Sequence, residues 1–212
     1  MSPVPTTRSR TRRSVRLVAA MVLVTLVAAA CGSSFDPTGP CAADGTAPGA
    51  YPDLEAVVPK DFDGNPPRQV DSGRTCSSDA LGTLTSHGVK ELHFAGATWG
   101  TGTDSGLTLA VFVDADGPPL DAAWLAEFYE AGARAGKNVQ TVDPTSVPIS
   151  APGGDIAGRR IDVLNGESFQ TVVIWPRDGR VAVVIVADFI REIQTRDAHD
   201  KVVAAALAAY GG

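Results

Sequence analysis

The sequence predicts an α+β domain, with an antiparallel sheet of about five strands and two main helices packed on one face of it. Three observations carry that expectation. Asn165-Gly166 stands between two apolar runs, the strongest short signal for a hairpin. A run apolar at nearly every position, RVAVVIVAD (180–188), follows a second turn at Pro176-Arg177-Asp178-Gly179. Two stretches, one after Pro119 and one near the C-terminal end, repeat apolar residues at helical spacing.

The chain opens on a segment of another kind. Arg8, Arg10, Arg12, Arg13 and Arg16 precede an apolar run from Leu17 to Ala30, and no acid occurs before Asp36. As a helix that run would rise about 21 Å, short of the roughly 30 Å hydrocarbon core of a bilayer. A basic start, a short apolar middle and a small-residue end describe a signal peptide over residues 1–30. A membrane-spanning anchor is the alternative. Ala28-Ala29-Ala30-Cys31 followed by Gly32-Ser33-Ser34 resembles the lipobox of bacterial lipoproteins. The resemblance implies that the Cys31 thiol takes a diacylglyceryl group and that cleavage falls just before it. Ala28 departs from the leucine usual three residues ahead of the cysteine, so cleavage after Ala30 without lipid stays open. Thr11-Arg12-Arg13 partly matches a twin-arginine export signal, and the export route is left open.

Residues 31–52 are read as a flexible tether, because GSSFDPTGPCAADGTAPGAYP (32–52) has almost no apolar periodicity with which to offset its ordering entropy. Of three cysteines, lipid on Cys31 leaves Cys41 and Cys76 as one disulfide pair in an oxidising compartment, with two independent thiols as the alternative. Cleavage would remove five of the 18 basic residues and none of the 24 acids, leaving a net charge of −11. That sign disfavours nucleic acid and anionic head groups as partners.

Residues 53–212 are expected to form a single domain. Asp53–Val58 and Ser77–His87 suggest short helical turns. VKELHFAGATW (89–99) and GLTLAVFVDA (106–115) form a strand pair around the glycine-rich loop GTGTDSG (100–106). The first main helix, LDAAWLAEFYEAGARAG (120–136), has Asp121 as N-cap and Gly136 as its stop. VQTVDPTSVPISAPGGD (139–155), with three prolines, is expected to give one irregular strand and a long connection. GRRIDVL (158–164), ESFQTVVIW (167–175) and RVAVVIVAD form a meander whose last strand is central, being apolar on both faces. The second main helix, 196–210, presents Val202, Val203, Ala206, Leu207 and Tyr210. The element order over 89–210, with the stretch TVVIWPRDGRVAVVIVA (171–187), resembles the PsbP-like fold found among actinobacterial lipoproteins. The resemblance implies a non-enzymatic accessory or binding domain.

Chemistry is sparse. Ser105 lacks the strand-to-helix elbow of a catalytic serine. His87, His93 and His199 share no ligand spacing, so no metal and no cofactor are expected. Asp61-Phe62-Asp63 and Asp114-Ala115-Asp116 echo a calcium loop but lack its later ligands and read as turns. Trp99, Trp124, Phe128 and Tyr129 are the candidate lining of an apolar ligand cleft beneath the glycine loop, or simply core. The expectation is a lipid-anchored lipoprotein on the extracytoplasmic face of the bacterial membrane, with a non-enzymatic binding domain. Its partner would be an envelope protein or a small apolar ligand, and an extracytoplasmic hydrolase is the remaining alternative.

Overall fold

The structure is a computed structural model and describes residues 35–151 and 153–211. The stretch read as a signal peptide and Cys31, read as the lipid site, lie outside the described residues. Among the described residues the chain forms one antiparallel sheet of eight strands: β1 (Gly45–Ala47), β2 (Gln69–Thr75), β3 (Leu92–Gly100), β4 (Gly106–Asp114), β5 (Val139–Ile149), β6 (Ile156–Asn165), β7 (Ser168–Arg177) and β8 (Arg180–Phe189). Their spatial order is β1-β2-β3-β4-β8-β7-β6-β5. Five helices accompany them: α1 (Pro52–Glu55), α2 (Ser78–Leu81), α3 (Ala122–Ala135), α4 (Ile190–Ile193) and α5 (Arg196–Gly211), with a 3-10 helix over Gly82–His87.

The expectation of about five strands is therefore corrected to eight. β1 and β2 come from segments without a strand pattern, and the irregular strand expected within 139–155 is a full-length one. β1 is three residues long, and β2, QVDSGRT, is mostly polar. They pair because Gly73 lets the chains approach closely: a Cβ there would collide with the Gly45 carbonyl oxygen and the Phe94 ring. β5 runs for 11 residues despite Pro144 and Pro148, because it is an edge strand. A proline is tolerated there when its missing N–H faces outward.

The expectation that both main helices cover one face is also corrected. β8 lies between β4 and β7 and alternates strictly between two cores. Val181 and Val183 face Leu81, Leu84, Leu125 and Ile161, the core beneath α3. Ala182, Val184 and Val186 face Trp99, Leu109, Trp175, Val203 and Tyr210, the core beneath α5. A strand apolar on both faces must be covered on both, since each large side chain buried contributes about 1.5–3 kcal/mol.

Local chemistry accounts for the boundaries. Asp121 Oδ1 accepts from the Ala123 amide at 2.8 Å and starts α3. Asp178 and Gly179 both have positive φ (49° and 74°), which makes the β7–β8 connection a type I′ hairpin. The β6–β7 turn is displaced one residue from expectation. Asn165 pairs with Ser168, so Gly166-Glu167 forms the loop, and Asn165 Oδ1 accepts from Ser168 Oγ at 2.7 Å.

Residues 35–51, the greater part of the stretch read as a tether, run against the β2 edge of the sheet. β1 pairs with Ser72–Arg74, and Cys41 is disulfide-bonded to Cys76. The Asp44 carboxylate accepts from the amides of Cys76 (2.7 Å) and Ser77 (2.9 Å) and from the Ser77 hydroxyl.

Candidate functional site

A largely apolar concavity lies between α3 and the β5–β6–β7 end of the sheet, and a more open one of about 320 Å³ lies over Gly166, Glu167, Phe189, Ile190 and Arg191. Residues at i, i+4 spacing on α3 and just beyond it, namely Phe128, Gly132 and Gly136 with Tyr129 and Ala133, form one wall. Ile161, Val163, Val172 and Val139 form the floor, with Asn165, Gln170 and Lys137 as its polar members. The slot holds about 100 Å³. Tyr129 packs edge-on against Phe128 and Phe112, and burial pushes its phenol above the ordinary tyrosine range.

Gly132 is the unusual member. A glycine inside a helix costs about 0.5–1 kcal/mol relative to alanine. Such residues usually mark a close approach of another element, yet a Cβ built on Gly132 meets nothing within 4 Å. Packing does not require the glycine, whose only evident consequence is a wider slot.

The aromatic residues expected to share a cleft are split across the sheet. Phe128 and Tyr129 line the slot. Trp124 is one turn away, outside its wall, stacked on the His87 ring at 4.9 Å with an interplanar angle of 8°. Trp99 is on the opposite face, 4% exposed, and its indole N–H donates to the Asn65 carbonyl at 2.9 Å. The expectation that Trp99 borders an open cleft is thus corrected: it is core.

The three histidines share no site among the described residues, and His199 is a structural one. His199 continues the α5 stripe of Val203, Ala206 and Tyr210, so it faces the sheet and is buried. Its Nδ1 lies 2.7 Å from Asp188 Oδ2 and its Nε2 lies 2.8 Å from Thr171 Oγ1. The order carboxylate–imidazole–hydroxyl is that of a nucleophilic triad. Two facts argue against that chemistry in this state. Thr171 is fully buried, and its hydroxyl donates to Asp162 Oδ1 at 2.6 Å. The hydrogen that a base would remove is already committed to a carboxylate. Asp162 is in turn held by Arg160 and Arg196, and Asp200 by the same two guanidinium groups. Burial works against ionising Asp162, but hydrogen bonds from Arg160 and Thr171 and the charges of Arg160 and Arg196 outweigh it and hold its pKa below the usual carboxylate range. The cluster ties α5 to β6, β7 and β8.

Other candidate groups have local partners. Ser105 Oγ donates to Glu192 Oε2 at 2.7 Å and accepts from the Phe189 amide, which closes the glycine loop onto α4. Asp61 accepts from the Gly64 amide, and Asp114 from those of Asp116 and Gly117, so both calcium-like stretches are turns. Among the described residues no three His, Cys, Asp or Glu side chains converge as a metal site requires, and no helix is long and apolar enough to cross a membrane. No family model, curated protein or solved structure matches the chain.

Proposed function

We propose that the protein is a lipid-anchored extracytoplasmic lipoprotein whose domain is a binding module, and that the slot under α3 receives an apolar side chain of a partner protein. Gly132 is the observation that supports this most: a helix glycine that lines an apolar slot and that no packing contact requires. Proteins commonly give up stability where function needs open space.

For the slot under α3, size separates this reading from that of a lipid carrier. Ligand pockets usually enclose about 300–1,000 Å³, and an apolar cavity of about 150 Å³ just admits benzene. A slot of about 100 Å³ fits one branched aliphatic group and not an acyl chain. Strand addition at the free edge is disfavoured as the mode of binding. Pro144 and Pro148 are four residues apart on β5, so both remove donors from the same outward phase. The extracytoplasmic setting is supported by the Cys41–Cys76 disulfide and by the lipobox resemblance around Cys31.

Native mass spectrometry of the exported, oxidised domain, set beside the denatured spectrum, tests the reading. A clean apo mass supports recognition of a partner protein. A bound mass of lipid size, lost on denaturation, replaces that reading with a carrier.

A further inference from the structure

The N-terminal segment is held to the sheet by a grip that fixes how far the domain can stand from its anchor. Arg74 of β2 is buried, and its guanidinium donates to three successive parts of one backbone: the carbonyls of Asp36 (2.9 Å), Gly39 (2.7 Å) and Pro40 (3.0 Å). The Phe35 ring packs 5.8 Å from the same guanidinium. Next along the chain come the Cys41–Cys76 disulfide, the Asp44 carboxylate on the amides of Cys76 and Ser77, and the β1–β2 pairing. Guanidinium, disulfide, carboxylate and strand ladder act within 12 residues and all fasten to β2 or to the two residues that follow it.

We infer that this edge of the sheet, β1–β2, is the membrane-facing edge, moored within about 18 Å of the bilayer surface. The distance follows from covalent geometry alone. From Cys31 to Asp36 there are five Cα steps, which span at most about 18 Å on any path. A free tether over residues 31–52 would instead average about 25 Å and reach about 70 Å when extended. The strand order then sets the orientation of the slot. β6, at its floor, is six strands from β1, or roughly 29 Å at the usual strand spacing. Anchor and slot occupy opposite ends of one rigid sheet, so the slot is presented to partners in the aqueous envelope and not to the lipid beneath. The inference rests on lipidation at Cys31, as proposed above.

The test uses the full lipidated protein in phosphatidylcholine vesicles that carry an energy-transfer acceptor on the head groups. A short-range donor is placed through an unnatural amino acid at one of two exposed positions, Ala42 beside the mooring or Ser146 on β5. Vesicle flotation is measured first, with Cys31→Ser as control. Transfer from Ala42 is expected to exceed that from Ser146 several-fold. Inserting ten Gly/Ser residues between Ser34 and Phe35 is expected to reduce the difference without altering the melting temperature. Flotation that does not depend on Cys31 overturns the lipidation reading and the mooring together. Cys31-dependent flotation with equal transfer at the two positions, or a difference unchanged by the insertion, overturns the mooring alone.

Discussion

His199 Nδ1 and Asp188 Oδ2 lie 2.7 Å apart at the junction of α5 and β8, with both side chains closed to solvent. Donor accounting gives this pair its character. Asp162 only accepts, so the single Thr171 hydrogen goes to it, and Thr171 must accept from His199 Nε2. Asp188 faces Nδ1 and also accepts from Thr101 Oγ1, so both ring nitrogens are engaged inside the protein. Removing one member of such a pair leaves a buried polar group without its partner. Asp188→Asn is expected to lower unfolding stability by about 1–3 kcal/mol in urea titrations. An unchanged stability would refute a supporting role for the pair.

Acid should loosen the same junction. Asp162 and Asp44 are both held below the usual carboxylate range, Asp162 by Arg160, Thr171 and Arg196 and Asp44 by Ser77 and the Cys76 amide, each against an opposing effect of burial. A carboxyl with a depressed folded-state pKa contributes stability above its unfolded pKa and loses it as pH falls through the folded value. The melting temperature should therefore be flat around neutrality and fall at acid pH, beginning near the ordinary carboxylate pKa. Asp162→Asn should lower the neutral plateau and flatten the acid limb, as checked by calorimetry of both proteins from pH 7 to pH 2.

The disulfide closes a loop with a sequence separation of 35. On the chain-entropy view, losing it costs roughly 3–4 kcal/mol. The double variant Cys41→Ser/Cys76→Ser should show that loss in chemical unfolding. The β1 segment should also become accessible to protease, since the bond fastens it to the end of β2.

Gly132 provides the sharpest separation of stability from function. Gly132→Ala and Gly132→Met should each raise stability by roughly 0.5–1 kcal/mol through helix propensity, because nothing lies within 4 Å of the new Cβ. The alanine methyl only narrows the slot, whereas the methionine is long enough to fill it. Thermal melts check the first effect. A fall in stability for the alanine variant would mean that the glycine is required structurally.

The elements legible in the sequence were those whose own residues determine them. Asp121 announces α3 by offering a carboxylate to an unpaired amide, and β8 announces its central place by being apolar at successive positions. That same pattern held unused information, since a strand apolar on both faces requires helices on both. What the sequence hid depends on neighbours. β2 is a strand because β3 supplies a ladder and Gly73 admits β1, neither of which is a property of QVDSGRT. The prolines of β5 argue against a regular strand of 11 residues unless the strand is known to be an edge. Alternation with period two gives faces but not which helix covers each, so Trp99 and Trp124 were joined although the sheet lies between them. The His199 cluster draws on positions 162, 171, 188 and 199, and only the α5 stripe shared with Val203 hinted that this histidine faces inward.

The most direct test of the binding assignment is photo-crosslinking in the intact cell envelope. The crosslinker replaces Lys137, an exposed member of the slot lining, in the native background and in the Gly132→Met background, with Asp178 as a distant control. A single defined protein adduct at Lys137, absent at Asp178 and lost in Gly132→Met, is the predicted result. An adduct that persists when the slot is filled, or none beyond the Asp178 control, would contradict a partner side chain in the slot.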